Sequence, residues 1–250
     1  GTTGSGTTTG SGTGKTYNYS VNTTAGFSIV KYVGNGSSGQ QIPHHLGAVP
    51  HLIFLKPLDA ADHWRVYHHK NTSAPATDFL KLQSNAATAD SNDIWSDTAP
   101  TSSVFSVGNN SGVNANDQEF IAYVFTEKVG YSKFGSYVGN YSADGTFIYT
   151  GFKPAWVMTK RTDSSSDWRM FDNVRAPNGN PANKWVNAND TTAEGTDIQA
   201  DLLSNGFKLR AQANAFNASG GTFIYIAFGQ SLVGSNNIPC TICSFSHNPS

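Results

Sequence analysis

The chain repeats itself with a period of about 104 residues, and no other feature of its 250 residues restricts the fold as strongly. Tyr32-Val33-Gly34-Asn35 returns as Tyr137-Val138-Gly139-Asn140. Pro50 and the hydrophobic run ending at Lys56 return as Pro154 and a run ending at Lys160. Asp59, Trp64, Arg65 and Tyr67 return as Asp163, Trp168, Arg169 and Phe171 at one common offset. Near the end of each unit, Val104-Phe105-Ser106-Val107 answers Gly206-Phe207-Lys208-Leu209, and Phe120 to Phe125 answers Phe223 to Phe228. A unit of this size can bury a core of its own without a disulfide or metal staple.

Within each unit the apolar segments are short, rich in aromatic and β-branched residues, and bounded by Gly, Asn, Asp and Pro. Phe27 to Val33, Leu52 to Lys56, Trp64 to His68, Leu80 to Gln83 and Phe120 to Phe125 therefore read as strands. Helical periodicity is nearly absent, with brief turns expected near Ala86 to Asp90 and Thr191 to Glu194. The expected fold is all-β, two tandem homologous β-sandwich modules of lectin-like or jelly-roll-like form. The expected division is a linker over 1–19, a first module over 20–128, a second over 129–230 and a tail over 231–250. Residues 1–15 are almost wholly Gly, Thr and Ser, too poor in apolar surface to offset the entropy of ordering, so a flexible leader or assembly segment is expected there. Gly10 to Thr16 is similar to a phosphate-binding loop, but Thr9 stands where the pattern needs Gly, and Tyr17 to Asn22 alternates like a strand where it needs a helix.

Only 13% of residues are charged and the formal net charge is −1, with no basic run, which excludes the electrostatic footprint of a nucleic-acid binder. No apolar stretch approaches the roughly 18 residues of a membrane helix, and the first residues lack the basic and apolar regions of a signal peptide. Abundant hydroxyl and amide side chains suit an extracellular or particle-bound β protein. Cys240 and Cys243 form a CxxC without the strand-helix context of a redox motif or the second ligand pair of a zinc site; a local disulfide or two packed thiols is the expectation.

Gly151 to Asp163, with Asp167 to Asp172, Leu203 to Arg210 and Asn217 to Tyr225, resembles a duplicated domain found in predicted tail-fibre and appendage proteins of marine bacteriophages. The likeness covers about residues 20–229. It implies a structural, lectin-like β architecture on a virion and brings no catalytic residues with it.

Candidate chemistry is sparse. A glycan-cleaving enzyme needs two carboxylates about 5–10 Å apart, but Asp59, Asp62, Asp163 and Asp167 sit in turn sequences that Asp itself favours. Asn114 to Glu119 has the flavour of a calcium loop without its glycine or spacing. No nucleophile elbow or Cys/His pairing is present, so no catalytic residue, cofactor or metal site is assigned. Strand alternation puts Trp64 and Trp168 on one face and Arg65 and Arg169 on the other. A Trp face beside Arg can hold a sugar, so these four, with His68 and His69, are the candidate ligand-binding residues, with a core role as the other reading of the tryptophans, which both units keep, and the arginines as the better candidates. Six of the seven histidines lie in the first unit, and their counterparts differ: Trp156 at the place of His51 and Asp172 at that of His68. The expectation is a non-enzymatic virion protein, homo-oligomeric within a fibre or appendage, contacting a host-surface glycan or receptor. A purely architectural filament or decoration subunit and a glycan depolymerase are the alternatives.

Overall fold

The computed structural model describes residues 1–176 and 180–229. In chain order the strands are β1 (Thr2–Thr7), β2 (Thr9–Gly10), β3 (Thr16–Asn22), β4 (Phe27–Val33), β5 (Gln40–Pro43), β6 (Leu52–Pro57), β7 (Arg65–His68), β8 (Asp78–Lys81), β9 (Ala89–Asp90), β10 (Val104–Val107) and β11 (Glu119–Phe125). They continue as β12 (Ser132–Val138), β13 (Phe147–Tyr149), β14 (Pro154–Arg161), β15 (Arg169–Asp172), β16 (Trp185–Asn187), β17 (Ala200–Leu203), β18 (Gly206–Leu209) and β19 (Thr222–Gly229). Three single-turn helices, α1 (Asn92–Trp95), α2 (Ser111–Asn114) and α3 (Asn214–Asn217), interrupt them. The protein is an all-β chain of antiparallel sheets.

The first half builds an eight-stranded sheet in the order β1-β3-β4-β11-β6-β7-β8-β9 and a three-stranded sheet β10-β5-β2. The second builds a five-stranded sheet β12-β19-β14-β15-β16 and a three-stranded sheet β13-β18-β17. The run β4-β11-β6-β7-β8 and the run β12-β19-β14-β15-β16 thus have the same order and sense. In each half the large sheet packs one face on the small sheet. Val30, Leu55, Tyr67, Phe120 and Ala122 meet Ile42, Phe105 and Val107 in one core; Val157, Phe171, Phe223 and Tyr225 meet Ile148, Phe207 and Leu209 in the other.

Strand alternation gives the large sheets a second apolar face, and they turn these faces on each other. Leu52, Val66 and Leu80 of the first half pack with Phe134, Met158, Trp168, Ile224 and Ile226 of the second. Ile224 and Ile226 belong to this joint while Phe223, Tyr225 and Ala227, one residue out of phase, belong to the second core. The result is four layers, small sheet, large sheet, large sheet, small sheet, with apolar side chains in all three gaps.

The repeated Tyr-Val-Gly-Asn has a structural cause. Tyr32 Oη donates to Val113 O, and Tyr137 Oη donates to Phe216 O. A Cβ on Gly34 would lie 2.3 Å from Ala115 O, and one on Gly139 would lie 2.3 Å from Ala218 O, so only glycine lets the backbone pass. Asn35 N and Asn140 N then donate to the buried side chains of Asn114 and Asn217, whose own amides donate to Gly108 O and Ser37 O, and to Ala211 O and Ser142 O. Every polar atom of those two buried amides is paired, as burial requires. Asn114 is therefore a framework residue at the end of α2, and its neighbour Asp117 pairs with Lys15.

Several expectations change. Residues 2–7 are not a loose leader but an edge strand paired along its whole length with Thr16 to Val21. Gly4 and Gly6 lie opposite Tyr19 and Tyr17, whose rings cover the glycine backbone and supply the contact area the leader lacks. Thr9–Gly10 adds to β5, and buried Gln40 donates to Thr8 Oγ1. The expected boundary between residues 19 and 20 falls inside β3, whereas that between 128 and 129 lies in the connection from β11 to β12. The turns expected near 86–90 and 191–194 are not helical: Ala89–Asp90 is a strand and 191–194 is irregular. Helix forms instead where Ile94, Trp95, Val113 and Phe216 plug the cores, so tertiary burial overrides weak local propensity. A register shift between Pro154 and Trp156 makes Trp156 the counterpart of Leu52, each facing the matching Phe of the central strand. Ala155 takes the place of His51, since Asn173 N donates to Ala155 O as His69 N does to His51 O. Cys240, Cys243 and the rest of the expected tail lie outside the described residues.

Candidate functional site

Of the six residues expected to bind ligand, Arg65, Arg169, Trp168 and His68 are buried, His69 is tied to a carbonyl, and Trp64 is half-buried. Arg65 and Arg169 do face away from the tryptophans, but that face is the gap between large and small sheet, and they are 7% and 8% exposed. Arg65 lies over the Phe79 ring at 5.4 Å, with Asp62 Oδ1 3.5 Å from Nη2. Arg169 lies over the Trp185 ring at 3.6 Å and donates from Nη1 to Gln199 Oε1 at 3.0 Å. Burial lowers the Arg169 pKa from its usual value, opposed by Asp197, Asp167 and other nearby anions. Two half-paired guanidiniums at matching positions act as stiff fillers at the sheet margins rather than as hands for a sugar.

Trp168 is fully buried in the joint, where its Nε1 donates to Lys81 O at 2.9 Å. Trp64, its sequence counterpart, is half-buried and stacks on Tyr123 with ring centroids 6.0 Å apart. His68 is fully buried, its Nε2 3.2 Å from Tyr225 O, and burial pushes its pKa down to about 3. His69 is half-buried with Nε2 2.6 Å from Phe134 O. Neither Trp168 nor His68 offers surface to a ligand, so both are corrected to joint residues.

The bonds lacking a counterpart in the other half share one location. His68 and His69 of the first half reach carbonyls of β19 and β12 in the second. Lys160 of the second half is fully buried and donates to Asn85 O of the first and to Arg161 O, with burial lowering its pKa to about 8. Ser166 N donates to Asn85 O, and Thr88 N to Thr162 O. These contacts stitch the two large sheets together.

The surface left for recognition lies elsewhere. On the small sheet of the second half, alternation sends Ile148 and Phe207 into the core and Phe147, Tyr149, Lys208 and Asp201 outward. Phe147 is 43% and Tyr149 65% exposed, large values for neighbouring aromatics on one strand face. Lys208 stands opposite Phe147 and pairs with Asp144, while Asp201 pairs with Arg210. Two exposed rings beside an acid, a lysine and an arginine combine stacking area with hydrogen-bond donors and acceptors. The corresponding face of the first half carries Gln41 and Ser106, with Thr9 of β2 laid beside them. Sequence reasoning passed over Phe147 and Tyr149; the signal available was the alternation Phe-Ile-Tyr set against Gln-Gln-Ile-Pro in the other unit.

Fold and surface together define a layered all-β protein with one aromatic, charge-fringed outer sheet. The described residues contain no helix long and apolar enough to cross a membrane. Residues 1–231 match the model of a domain of unknown function, DUF7483, and the chain belongs to that family. No curated protein and no solved structure matches it.

Proposed function

We propose that this chain is a non-enzymatic structural module of a bacteriophage virion, part of a tail fibre or similar appendage, that presents a surface to a host glycan. In this reading the two halves are tandem copies of one β-sandwich unit. The copies diverged where they meet and where they face outward. The observation that carries the proposal is the outer sheet with Phe147 and Tyr149 exposed beside Lys208, Asp201 and Arg210. Saccharides present apolar C–H faces and hydroxyl rims, which such a surface matches by stacking and hydrogen bonding. The low charge and the resemblance to phage appendage domains support the same reading.

The test is a glycan array and a host-cell adhesion assay with the parent protein and Phe147→Ala/Tyr149→Ala. Stacking by two rings predicts at least tenfold weaker binding in the double variant, with unchanged thermal unfolding because both rings are exposed. Equal binding would remove this face. Release of new reducing ends from the bound polysaccharide would replace the proposal with a depolymerase.

A further inference from the structure

We propose that His51, His69 and Glu127 form a site for one divalent transition-metal ion, zinc by its ligand set, at the joint between the two halves. One ligand atom from each residue lies within 4.8 Å of the other two. Metal–ligand bonds of about 2.0–2.2 Å in a tetrahedral site place ligand atoms roughly 3.3–3.6 Å apart, and the Glu127 carboxylate borders the His69 ring, with Oε1 3.8 Å from its Nε2. Movement of side-chain tips by about an ångström closes the set.

The residues are held by three adjoining strand ends. His51 stands just before β6, His69 just after β7, and Glu127 two residues after β11. His69 N donates to His51 O at 2.9 Å, which fixes the two histidines as neighbours, and their rings meet edge to face with centroids 4.5 Å apart. Ligand histidines usually give their second ring nitrogen to a backbone carbonyl or another fixed acceptor. Such acceptors are present: Phe134 O lies 2.6 Å from His69 Nε2, and Thr126 Oγ1, itself donating to Val49 O, lies 3.2 Å from His51 Nδ1. In the metal-bound form His69 Nε2 keeps its bond to Phe134 O, while His51 Nδ1, which accepts from Glu127 N at 3.2 Å in the free protein, gives up that bond and donates to Thr126 Oγ1, so that the opposite nitrogen of each ring carries the lone pair. Burial lowers both imidazole pKa values, which keeps the rings in the neutral, ligating form.

Glu127 already holds a cation. Lys133 Nζ sits 2.8 Å from Oε2, and Phe134 N donates to Oε1. The lysine side chain is 40% exposed, and so open an ion pair is easily exchanged. Lys133 swings into solvent as the metal takes the carboxylate. All three ligands are half-buried, so the remaining position is left to water. Ala155 and Asn173 occupy the corresponding places of His51 and His69 in the second half, so one ion per chain is expected.

The test uses the full chain carrying Cys240→Ser and Cys243→Ser, which removes the thiols of the tail as competing ligands. Titration calorimetry with zinc chloride is expected to give one site. At a hundredfold excess over Kd the unfolding midpoint is expected to rise by roughly 5–10 °C. Glu127→Gln and His69→Asn, the latter copying Asn173, are each expected to weaken binding at least tenfold, with circular dichroism showing the parent fold. His63→Ala, outside the cluster, is expected to bind as the parent does, and magnesium to leave the midpoint unchanged. No zinc binding by the parent chain, equal affinity in Glu127→Gln and His69→Asn, or an equal response to magnesium would overturn the site.

Discussion

Trp64 and Trp168 occupy one position of the sequence repeat, yet their replacement should have very different consequences. Trp168 is fully buried between the two large sheets among Val66, Leu80, Met158 and Ile226, and its indole nitrogen holds Lys81 O. Trp168→Ala opens a cavity in a gap whose walls are strands already fixed by their ladders, so little collapse can fill it. Buried Trp→Ala changes of this kind remove about 3–5 kcal/mol, and the orphaned carbonyl adds to the loss. For a chain of this length that is a fall in Tm of roughly 6–20 °C. Trp64 is half-buried and, among the described residues, has Tyr123 as its one aromatic neighbour, so Trp64→Ala should lose about 1 kcal/mol, in the range of an exposed aromatic pair. Urea unfolding followed by circular dichroism measures both. Similar losses for the two variants would refute the back-to-back packing of the sheets, because only that packing separates the environments of the two rings. A Trp168→Ala protein of parent stability but without glycan binding would return Trp168 to the surface and the joint with it.

His68 supplies a pH signature: its folded pKa is lowered to about 3 while the unfolded value stays near 6.5, so the unfolded state binds the extra proton. Its contribution is complete above pH 6.5 and is lost as pH falls, at about 1.4 kcal/mol per pH unit; His68→Gln should flatten the urea-derived stability profile between pH 6 and 4 by about that slope, and an unchanged slope would place His68 in solvent. Gly139→Ala forces a methyl to within 2.3 Å of Ala218 O and should destabilise by roughly 1–3 kcal/mol. A neutral result in denaturant titration would mean that the Tyr-Val-Gly-Asn corner has more room than described.

Strand positions in the first half were legible because their apolar alternation is strong. Phe27–Val33 is a strand over the expected span, and Leu52, Arg65 and Phe120 lie in strands within a residue or two of the expected limits. Period-two alternation also assigned Trp and Arg to opposite faces correctly. What alternation cannot report is what lies across each face. A strand covered on both sides reads the same as one with a wet face if its polar residues are taken inside, and Arg65, Arg169, His68 and Lys160 are such residues. The leader failed for a related reason. Composition counts the apolar area a segment owns, whereas Gly4 and Gly6 are covered by area that Tyr19 and Tyr17 lend across the ladder.

The divergence between the halves also has a physical logic that the repeat alone hides. Two halves of matching sheet order packed back to back need not meet through equivalent residues, so each has its own side of the joint. His68 and His69 bond to carbonyls of the second half, whereas Trp168 and Lys160 bond to carbonyls of the first. Asp172 and Asn173 stand at the places of the two histidines, whereas Trp64 and Lys56 match Trp168 and Lys160 in type, and Lys56 donates to Ala60 O of its own half rather than across the joint. Asymmetry between the halves is therefore first a record of how they dock. The proposed glycan face rests only on divergent residues that remain outside the joint, as Phe147 and Tyr149 do.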